Sequence, residues 1–180
     1  MTDTDPLTLG LATLDQHGWS GGRPALYLHG PSQRLIAFNG DRSLLGLWSI
    51  STGLNGFGNA EGSGQTPIGL HTLGDCLGEG QPLGMCFVGR QPTGEIVETT
   101  TDVQQDYITT RIIRLNGAVP GFNQGEGVDS YQRYIYIHGT PHLDNLGQPV
   151  SHGCVRMHSA DLLTLFAQVK PGDLMYIDPV

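Results

Sequence analysis

The sequence predicts a mainly β fold with one short helix near its C-terminal end. Three observations support this fold class. Short apolar segments recur along the chain, turn-forming residues bound each of them, and 27 glycines and 11 prolines are spread without a period. A chain of 180 residues that is 38% hydrophobic can bury one core, so we expect residues 1–180 to form a single domain.

Eight segments are predicted strands because their apolar residues alternate or cluster over short runs between turn signals. In order along the chain, they are 7–14, 25–29, 34–38, 45–52, 85–88, 111–115, 131–138 and 174–177. Two stretches rich in glycine, 54–66 and 116–127, are predicted loops. The second is either a lid over a binding cleft or an idle surface loop.

A single helix is predicted over residues 159–170. Ser159 can cap its N-terminus, Asp161 favours the first turn, and Pro171 and Gly172 end it. Its apolar positions, at helical spacing on one face, are Leu162, Leu165, Phe166 and Val169. This pattern indicates packing against the core.

Charge and cysteine content narrow the class of partner and the compartment. The formal charge of −8 leaves no basic face for phosphates, so we expect no nucleic-acid and no membrane partner, and instead a peptide or small molecule. The first six residues carry no Lys or Arg and no apolar run follows them, as an export signal would require. Cys76, Cys86 and Cys154 are an odd number of thiols, which favours a reducing cytoplasm. Oligomeric state is not predicted.

His138 ends the predicted strand 131–138. Ile135 and Ile137 share one face of this strand, while Tyr134, Tyr136 and His138 share the other. Gly139 follows and lets the chain turn, so that a backbone carbonyl can hold one ring nitrogen of His138. Alone, such a histidine is more often structural than catalytic.

A thiol lies in the polar segment that begins thirteen positions after His138, Ser151-His-Gly-Cys-Val-Arg156. We expect His152 and Arg156 to lower the pKa of Cys154, and backbone amides around Gly153 to converge on an oxyanion. A general base should come from another element, because neighbouring side chains of an extended segment diverge. This favours His138 over His152. Cys76 and Cys86 are interpreted as small buried hydrophobic residues.

The ordered set Ile137-His-Gly-Thr140, a spacer with Leu146-Gly-Gln-Pro149, and Ser151-His-Gly-Cys-Val-Arg-Met157 resembles the catalytic motif of the L,D-transpeptidase (YkuD) family. Gln65-Thr-Pro-Ile-Gly69 resembles a turn of the same family. The resemblance covers the chain from about residue 25 to its end. It implies a YkuD-like mixed β-sandwich or barrel, with the short helix directly after the nucleophile loop.

The resemblance also implies roles for individual residues. Cys154 would be the nucleophile and His138 its base, oriented by the carbonyl of Gly139. The amides of His152, Gly153 and Cys154 would form the oxyanion hole. Ser151 would hold the loop, and Ser151, Arg156 and Tyr136 are the candidate substrate-binding residues. Arg156 replaces the Asn of some members, so substrate contact and loop anchoring both stay open for it, and Tyr136 could equally be a packing residue. No metal or cofactor is implied.

The implied substrate is a peptidoglycan stem tetrapeptide or muropeptide, attacked at the carbonyl of its third, L-configured centre with loss of the terminal D-alanine. Water as acceptor gives an L,D-carboxypeptidase, and an amine gives a transpeptidase that forms crosslinks. Arg114-Leu-Asn-Gly and the stretch 128–140 resemble the family's cytoplasmic branch, which trims recycled muropeptides. We therefore favour the carboxypeptidase, with a cytoplasmic location.

Two alternatives belong to other classes. The first is a zinc site with mixed nitrogen and sulfur ligands. Its candidate ligands are His138, His142, His152, Cys154 and His158. A non-catalytic peptide-binding module is the other alternative, and we expect it to leave Cys154 unreactive toward iodoacetamide near neutral pH.

Overall fold

The computed structural model describes residues 5–102 and 105–180. Residues 1–4, on which part of the export prediction rests, lie outside this range. The elements are α1 Pro6–Gln16, β1 Ala25–His29, β2 Arg34–Phe38, β3 Leu44–Ser51, β4 Gly69–Leu77, β5 Met85–Val88, β6 Gln91–Ile96, β7 Thr109–Gly117, β8 Tyr136–Thr140, β9 Val155–His158, α2 Ser159–Phe166 and β10 Leu174–Asp178. The predicted mainly β class is confirmed.

The ten strands form one sheet in the order β4-β10-β1-β2-β3-β9-β8-β7-β5-β6, and an additional pairing joins β4 to β7. This pairing closes eight of the strands into a ring, while β5 and β6 extend outward from β7. Two neighbouring pairs, β1 with β10 and β8 with β9, are parallel, and the other pairs are antiparallel. The predicted mixed, barrel-like sheet is therefore present.

Alternation along the strands separates two layers of the core. Leu26 and Leu28 of β1 belong to the main cluster, whereas Tyr27 between them packs in a second cluster with Leu14 of α1. Helix α2 contributes to the main cluster through its predicted apolar face. Leu162, Leu165 and Val169 are buried there, and Phe166 packs against it. No helix within the described ranges is long and apolar enough to span a membrane.

The strand predicted over 7–14 is wrong, because this segment forms α1. Pro6 lies in the first turn, where its missing N–H costs nothing, and the Asp5 side chain accepts a hydrogen bond from the Thr8 amide at 3.3 Å. Leu7, Leu11 and Leu14 are also spaced as on one face of a helix. The alternating leucines fit both periodicities, and the capping residues decide for the helix.

The segment 131–138 also differs from the prediction. Residues 131–134 form turns, and β8 begins only at Tyr136 and continues through Gly139 to Thr140. His138 therefore lies within a strand and not at its end. Gly139 allows close approach instead of a turn, because a Cβ there would lie 2.7 Å from the carbonyl oxygen of Thr109. The strands β4, β6 and β9 were not predicted.

Helix α2 is shorter than the predicted 159–170 and begins differently. It ends at Phe166, and its N-cap position is His158, whose side chain makes no capping bond. The Ser159 hydroxyl is buried and accepts a hydrogen bond from Thr110 Oγ1 at 2.7 Å. Ser159 therefore ties α2 to β7 and does not cap it.

Candidate active site

The thiol of Cys154 lies where the loop 151–154, here called the nucleophile loop, enters β9. In the parallel pairing of β8 with β9, Val155 faces Ile137, so Cys154 lies beside Tyr136. The amide of Tyr136 donates to Cys154 Sγ at 3.4 Å, and the thiol donates to the carbonyl of Tyr134 at 3.5 Å. Cys154 is half-buried and packs against the cluster that contains Tyr136.

The same register brings His138 to the side of the sheet on which Cys154 lies. His138 is two residues beyond Tyr136 on β8 and shares its face. Strand spacing and rise place the Cα atoms of Cys154 and His138 about 8 Å apart on the diagonal, a separation that the two side chains can bridge. The two strands thus deliver thiol and imidazole from different parts of the sequence to one face.

The tautomer of His138 follows from its hydrogen bond. Nδ1 lies 2.8 Å from the carbonyl oxygen of Gly139, and a carbonyl can only accept. Nδ1 therefore carries the proton, and Nε2 is free to accept one. Burial lowers the pKa of His138 below its ordinary value, although the bond to Gly139 and the charge of Asp106 oppose that change. The imidazole is accordingly neutral near pH 7.

The environment of Cys154 corrects the expected direction of its pKa. Burial raises the pKa of the thiol to about 11, which outweighs the Tyr136 amide and the charges of Arg156 and Arg133. His152 does not lower this pKa, because its side chain is 82% exposed and pairs with Asp106. Near neutral pH the structure therefore holds a neutral thiol and a neutral imidazole on the same face of the sheet.

The nucleophile loop is held by hydrogen bonds within the loop and by a hydrogen bond from a residue outside it. Ser151 Oγ donates to the carbonyl of Cys154 at 2.6 Å, and Thr66 Oγ1 donates to the carbonyl of Gly153 at 2.9 Å. Gly153 has a φ of 121°, which a side chain would oppose. Ser151 is 1% exposed, so its hydroxyl supports the loop and offers no surface to a substrate.

One of the three amides expected in the oxyanion hole is already engaged. The N–H of Gly153 donates to Ser151 Oγ at 3.2 Å, within the buried part of the loop. The amides of His152 and Cys154 remain as candidate donors to an oxyanion. This differs from the implied three-amide arrangement, because the Ser151 hydroxyl both accepts and donates inside the loop.

Asp106 is a site residue that the sequence analysis missed. Its carboxylate accepts from Nδ1 of His152 at 2.8 Å and pairs with Arg156 at 2.7 Å. Burial alone would raise the pKa of Asp106, but the bond from His152 and the charge of Arg156 hold it below its usual value. The Arg156 side chain is only 5% exposed, and it anchors the loop to Asp106 in preference to facing a substrate.

Two further arginines near the nucleophile were also missed. Arg133 donates to the carbonyls of Gln65 and Gly58 at 2.6 and 3.1 Å, and its charge favours the thiolate of Cys154. Arg90 donates to the hydroxyl of Tyr136 at 3.2 Å. Tyr136 is 4% exposed, so it is mainly a packing residue whose hydroxyl reaches Arg90. Arg133 lies in the stretch 128–140 that carries the family resemblance, but no role was predicted for it, and Arg90 lies in none of the motifs.

The candidate zinc ligands do not converge. In residues 5–102 and 105–180, no three His, Cys, Asp or Glu side chains are arranged to hold a metal ion. His142 instead contacts the carbonyl of Gln105 through Nε2 at 2.9 Å, and His158 lies 4.0 Å from Asp161. The histidines of the proposed set thus have other partners.

Cys76 and Cys86 have the surroundings of packing residues. Cys86 is buried, and Cys76 packs against the main core cluster. Burial raises the pKa of Cys76 to about 11 and also raises the pKa of Cys86. Both thiols therefore have the surroundings expected of packing residues.

Comparison with known proteins shows which family this fold and sequence match. The model of the L,D-transpeptidase catalytic domain (YkuD) matches residues 24–177. A Bacillus licheniformis protein that bears the name L,D-transpeptidase YkuD is 40% identical over 48 residues, which are 27% of this chain and 29% of that protein.

Solved structures share the fold at low identity. An L,D-transpeptidase from Xylanimonas cellulosilytica matches with a TM-score of 0.55 and 17% identity, covering 93% of this chain and 68% of that one. L,D-transpeptidase 3 from Mycobacterium tuberculosis, solved with a faropenem-derived adduct, matches with a TM-score of 0.54 and 16% identity, covering 86% and 60%.

The fold and the matched sequence define a domain of the L,D-transpeptidase type. The chain belongs to the L,D-transpeptidase catalytic domain (YkuD) family, whose model covers most of its length. It spans 29% of the curated relative's length in the matched stretch, and between 57% and 60% of the first four solved structures.

Proposed function

We propose that this protein is a cysteine-dependent L,D-carboxypeptidase that removes the terminal D-alanine from peptidoglycan stem tetrapeptides. The observation that carries the proposal is the pairing of β8 with β9. It sets the Cys154 thiol on the same face as His138, whose Nδ1–H is fixed on the Gly139 carbonyl at 2.8 Å. This geometry suits a thiol nucleophile with a neutral imidazole as general base.

In the first half of the reaction, Nε2 of His138 takes the proton of the Cys154 thiol as sulfur attacks the carbonyl carbon of the third residue. The negative charge on the carbonyl oxygen is stabilised by the amides of His152 and Cys154. When the tetrahedral intermediate collapses, the C–N bond breaks and His138 returns the proton to the departing amine. D-Alanine leaves, and the tripeptide is bound to Cys154 as a thioester.

In the second half, water replaces D-alanine in the site. His138 takes a proton from the water as its oxygen attacks the thioester carbonyl, and the same amides receive the oxyanion. Collapse breaks the C–S bond, and His138 returns its proton to the departing sulfur, which restores the thiol. The tripeptide acid releases its remaining proton to solvent and leaves as the carboxylate. Because a thiol with a pKa of about 11 is protonated at neutral pH, proton transfer to His138 must accompany attack.

Hydrolysis is favoured over crosslinking by resemblance to the family's cytoplasmic branch. Arg114-Leu-Asn-Gly and the stretch 128–140 carry this resemblance, and both adjoin the site through β7 and β8. We propose that the protein acts in the cytoplasm on recycled muropeptides. A transpeptidase would use the same residues with an amine as acceptor, so the products decide between the two.

The test is mass spectrometry of free tetrapeptide and of disaccharide tetrapeptide after incubation with the purified protein. We expect loss of D-alanine from both, and no crosslinked dimer. Cys154→Ala should abolish the reaction, and His138→Ala should slow it by about a hundredfold or more. Cys76→Ser, a change of a half-buried thiol on β4, is the matched control and should keep the activity.

Three results would overturn the proposal. If the wild-type protein leaves the tetrapeptide unchanged, it has no activity on this class of substrate. Crosslinked dimer as main product would assign transpeptidation. Activity retained in Cys154→Ala would exclude the thioester.

A further inference from the structure

A cleft of about 530 Å³ opens beside the candidate active site, and nothing in the mechanism above uses it. Its walls are formed by Glu61, Arg90, Arg114, Tyr131, Gln132 and Tyr134. Two of the nine Lys and Arg residues of this acidic chain therefore face one cleft. Because these two guanidinium groups outnumber the single carboxylate of Glu61 in the wall, the cleft has a net positive charge within a protein of formal charge −8. Such a charge favours an anionic ligand.

Tyr134 joins this cleft to the nucleophile. Its carbonyl accepts the hydrogen bond of the Cys154 thiol, while its side chain is 56% exposed in the cleft. Tyr134 also has a φ of 58°, a left-handed conformation that is costly for a large side chain. Such strain persists where the surrounding structure requires it, and functional sites are common places for it.

Arg114 is a fixed cation in the wall of the cleft, and its charge is partly compensated. Its guanidinium lies 3.4 Å from the ring centroid of Tyr131 and donates to the Tyr131 carbonyl at 3.0 Å. Asp75 lies 3.8 Å from it and balances part of its charge. The Nε atom of Arg114 is buried and has no hydrogen-bond partner within the described ranges.

Arg90 supplies the uncompensated charge. Its guanidinium lies 5.2 Å from the ring centroid of Tyr134 and donates to the Tyr136 hydroxyl at 3.2 Å. Among residues 5–102 and 105–180, no carboxylate lies within ion-pair distance of it. A guanidinium has five N–H donors in a planar fork, so most of those of Arg90 are available to a bidentate carboxylate.

The distance from Arg90 to the sulfur fits a peptide substrate. Tyr136 spans the interval, with its amide 3.4 Å from Cys154 Sγ and its hydroxyl 3.2 Å from Arg90. Arg90 is therefore on the order of 10 Å from the sulfur, and an extended peptide advances about 3.4 Å per residue. A carboxylate that reaches Arg90 belongs to a residue close to the scissile carbonyl.

We propose that Arg90, supported by Arg114 and the rings of Tyr131 and Tyr134, binds a carboxylate of the peptide substrate. This inference rests on the proposed function and extends it to substrate selection. The carboxylate is either the C-terminal one, which leaves with D-alanine, or one carried by a side chain near the scissile bond. Both present the same planar anion to the guanidinium.

The experiment compares three peptides: the tetrapeptide, its C-terminal amide, and its side-chain carboxamide. With wild-type protein, amidation of the carboxylate that Arg90 binds should raise KM about tenfold and leave kcat nearly unchanged. Arg90→Gln should raise KM for the unmodified peptide by a similar factor. In Arg90→Gln the same amidation should have no further effect, which identifies the carboxylate bound by Arg90.

Two controls separate binding from folding. Arg42→Gln removes an exposed arginine that pairs with Asp15 far from the site, and it should keep the wild-type KM for every peptide. Arg90→Lys keeps the charge without the planar fork and should lie between wild type and Arg90→Gln. Calorimetry in the Cys154→Ala background, with the same peptides, measures the binding directly and does not require turnover.

The outcomes distinguish this inference from the proposed function. If Arg90→Gln weakens the binding of all three peptides equally, Arg90 does not bind a carboxylate. The same conclusion follows if calorimetry shows unchanged affinity for all three peptides. Either result excludes the carboxylate site even when D-alanine is released normally. If no peptide is hydrolysed but calorimetry shows the Arg90-dependent preference, the carboxylate site stands and the proposed function fails. A change confined to kcat would also overturn the inference.

Discussion

Burial of the Cys154 thiol has a larger effect on its pKa than the nearby cations have. Arg156 and Arg133 favour the thiolate of Cys154, but desolvation dominates and Asp106 adds a repulsive charge, so the pKa rises to about 11. At pH 7 the thiol is then almost entirely protonated. Low reactivity toward iodoacetamide near neutral pH is therefore compatible with catalysis, and it does not separate an enzyme from a binding module.

The Cys154 thiol and the His138 imidazole should titrate at different pH values. Alkylation of Cys154 by iodoacetamide should keep accelerating as the pH rises toward 11, because it requires the free thiolate. Tetrapeptide turnover should instead fall on the acid side as His138 becomes protonated, at a pH below its ordinary pKa of 6.5. Both profiles are measurable on one preparation, by the rate of mass gain and by D-alanine release.

Asp106→Asn tests the electrostatic cause of these profiles. The Asp106 carboxylate raises the pKa of both Cys154 and His138, so its removal should shift both profiles to lower pH. kcat should also fall, by about tenfold, because the loop loses its pairs with His152 and Arg156. Asp106→Glu, which keeps the charge, should restore the positions of both profiles. Unshifted profiles in Asp106→Asn would limit Asp106 to a packing role.

At the residue scale, site residues within a sequence motif can be predicted, whereas those that contact the site from distant segments cannot. His138, Ser151 and Cys154 are recognised from ordered neighbours along the chain. Asp106 and Arg90 contact the site from separate segments, and ordinary residues surround each of them in the sequence. Only the register of paired strands and the folding of loops bring such residues together.

At the scale of elements, α1 shows how two periodicities can compete. The leucines at 7, 9 and 11 alternate as in a strand, whereas those at 7, 11 and 14 follow a helix. Asp5 and Pro6 carry the information that decides between them. Strand β6 was missed for another reason: all six of its residues are exposed, so no apolar pattern marks it, and pairing with β5 alone defines it.

Gly10 allows α1 to lie close to the barrel, and its substitution tests that contact. A Cβ at Gly10 would lie 2.8 Å from the ring of Tyr27, whose hydroxyl is fixed by a 2.6 Å bond to Asp178. Gly10→Ala gains about 1 kcal/mol of helix propensity, but the overlap should cost more. We expect a net loss of about 1 kcal/mol in the free energy of unfolding, measured with urea.

The control is Ala12→Gly, which changes an exposed position of the same helix. It should lower stability by about 1 kcal/mol through propensity alone. If Gly10→Ala instead stabilises the protein by that amount, α1 does not pack on Tyr27 as closely as the structure indicates.

At the scale of the whole molecule, β4 closes the ring between β10 and β7, and His71 lies buried within it. Its Nδ1 contacts the carbonyl of Gly69 at 2.9 Å, and its Nε2 lies 2.8 Å from Ser130 Oγ. His71 therefore ties the closing strand to the segment that precedes β8. Nearby, the buried Asn123 anchors the loop that follows β7 by donating hydrogen bonds to the carbonyls of Ile68 and Leu70.

This burial makes stability depend on pH in a defined window. Desolvation lowers the pKa of His71 from 6.5 to about 4, so the folded protein keeps it neutral while the unfolded chain binds a proton below pH 6.5. The contribution of His71 is complete above pH 6.5 and is lost as the pH falls toward 4. Over that interval the loss amounts to about 3 kcal/mol, at about 1.36 kcal/mol for each pKa unit.

Urea unfolding of the wild-type protein and of His71→Gln between about pH 7.5 and 4.5 measures this contribution. The variant should be less stable at the upper end of this range, because its side chain cannot reproduce both hydrogen bonds, but its stability should fall less steeply with acid. The two curves therefore converge as the pH decreases. His29→Gln, which removes a histidine outside the core, controls for the loss of an imidazole as such. Parallel curves for wild type and His71→Gln would mean that His71 is accessible to protons in the folded barrel, and that the ring is less tightly closed at β4 than its hydrogen bonds indicate.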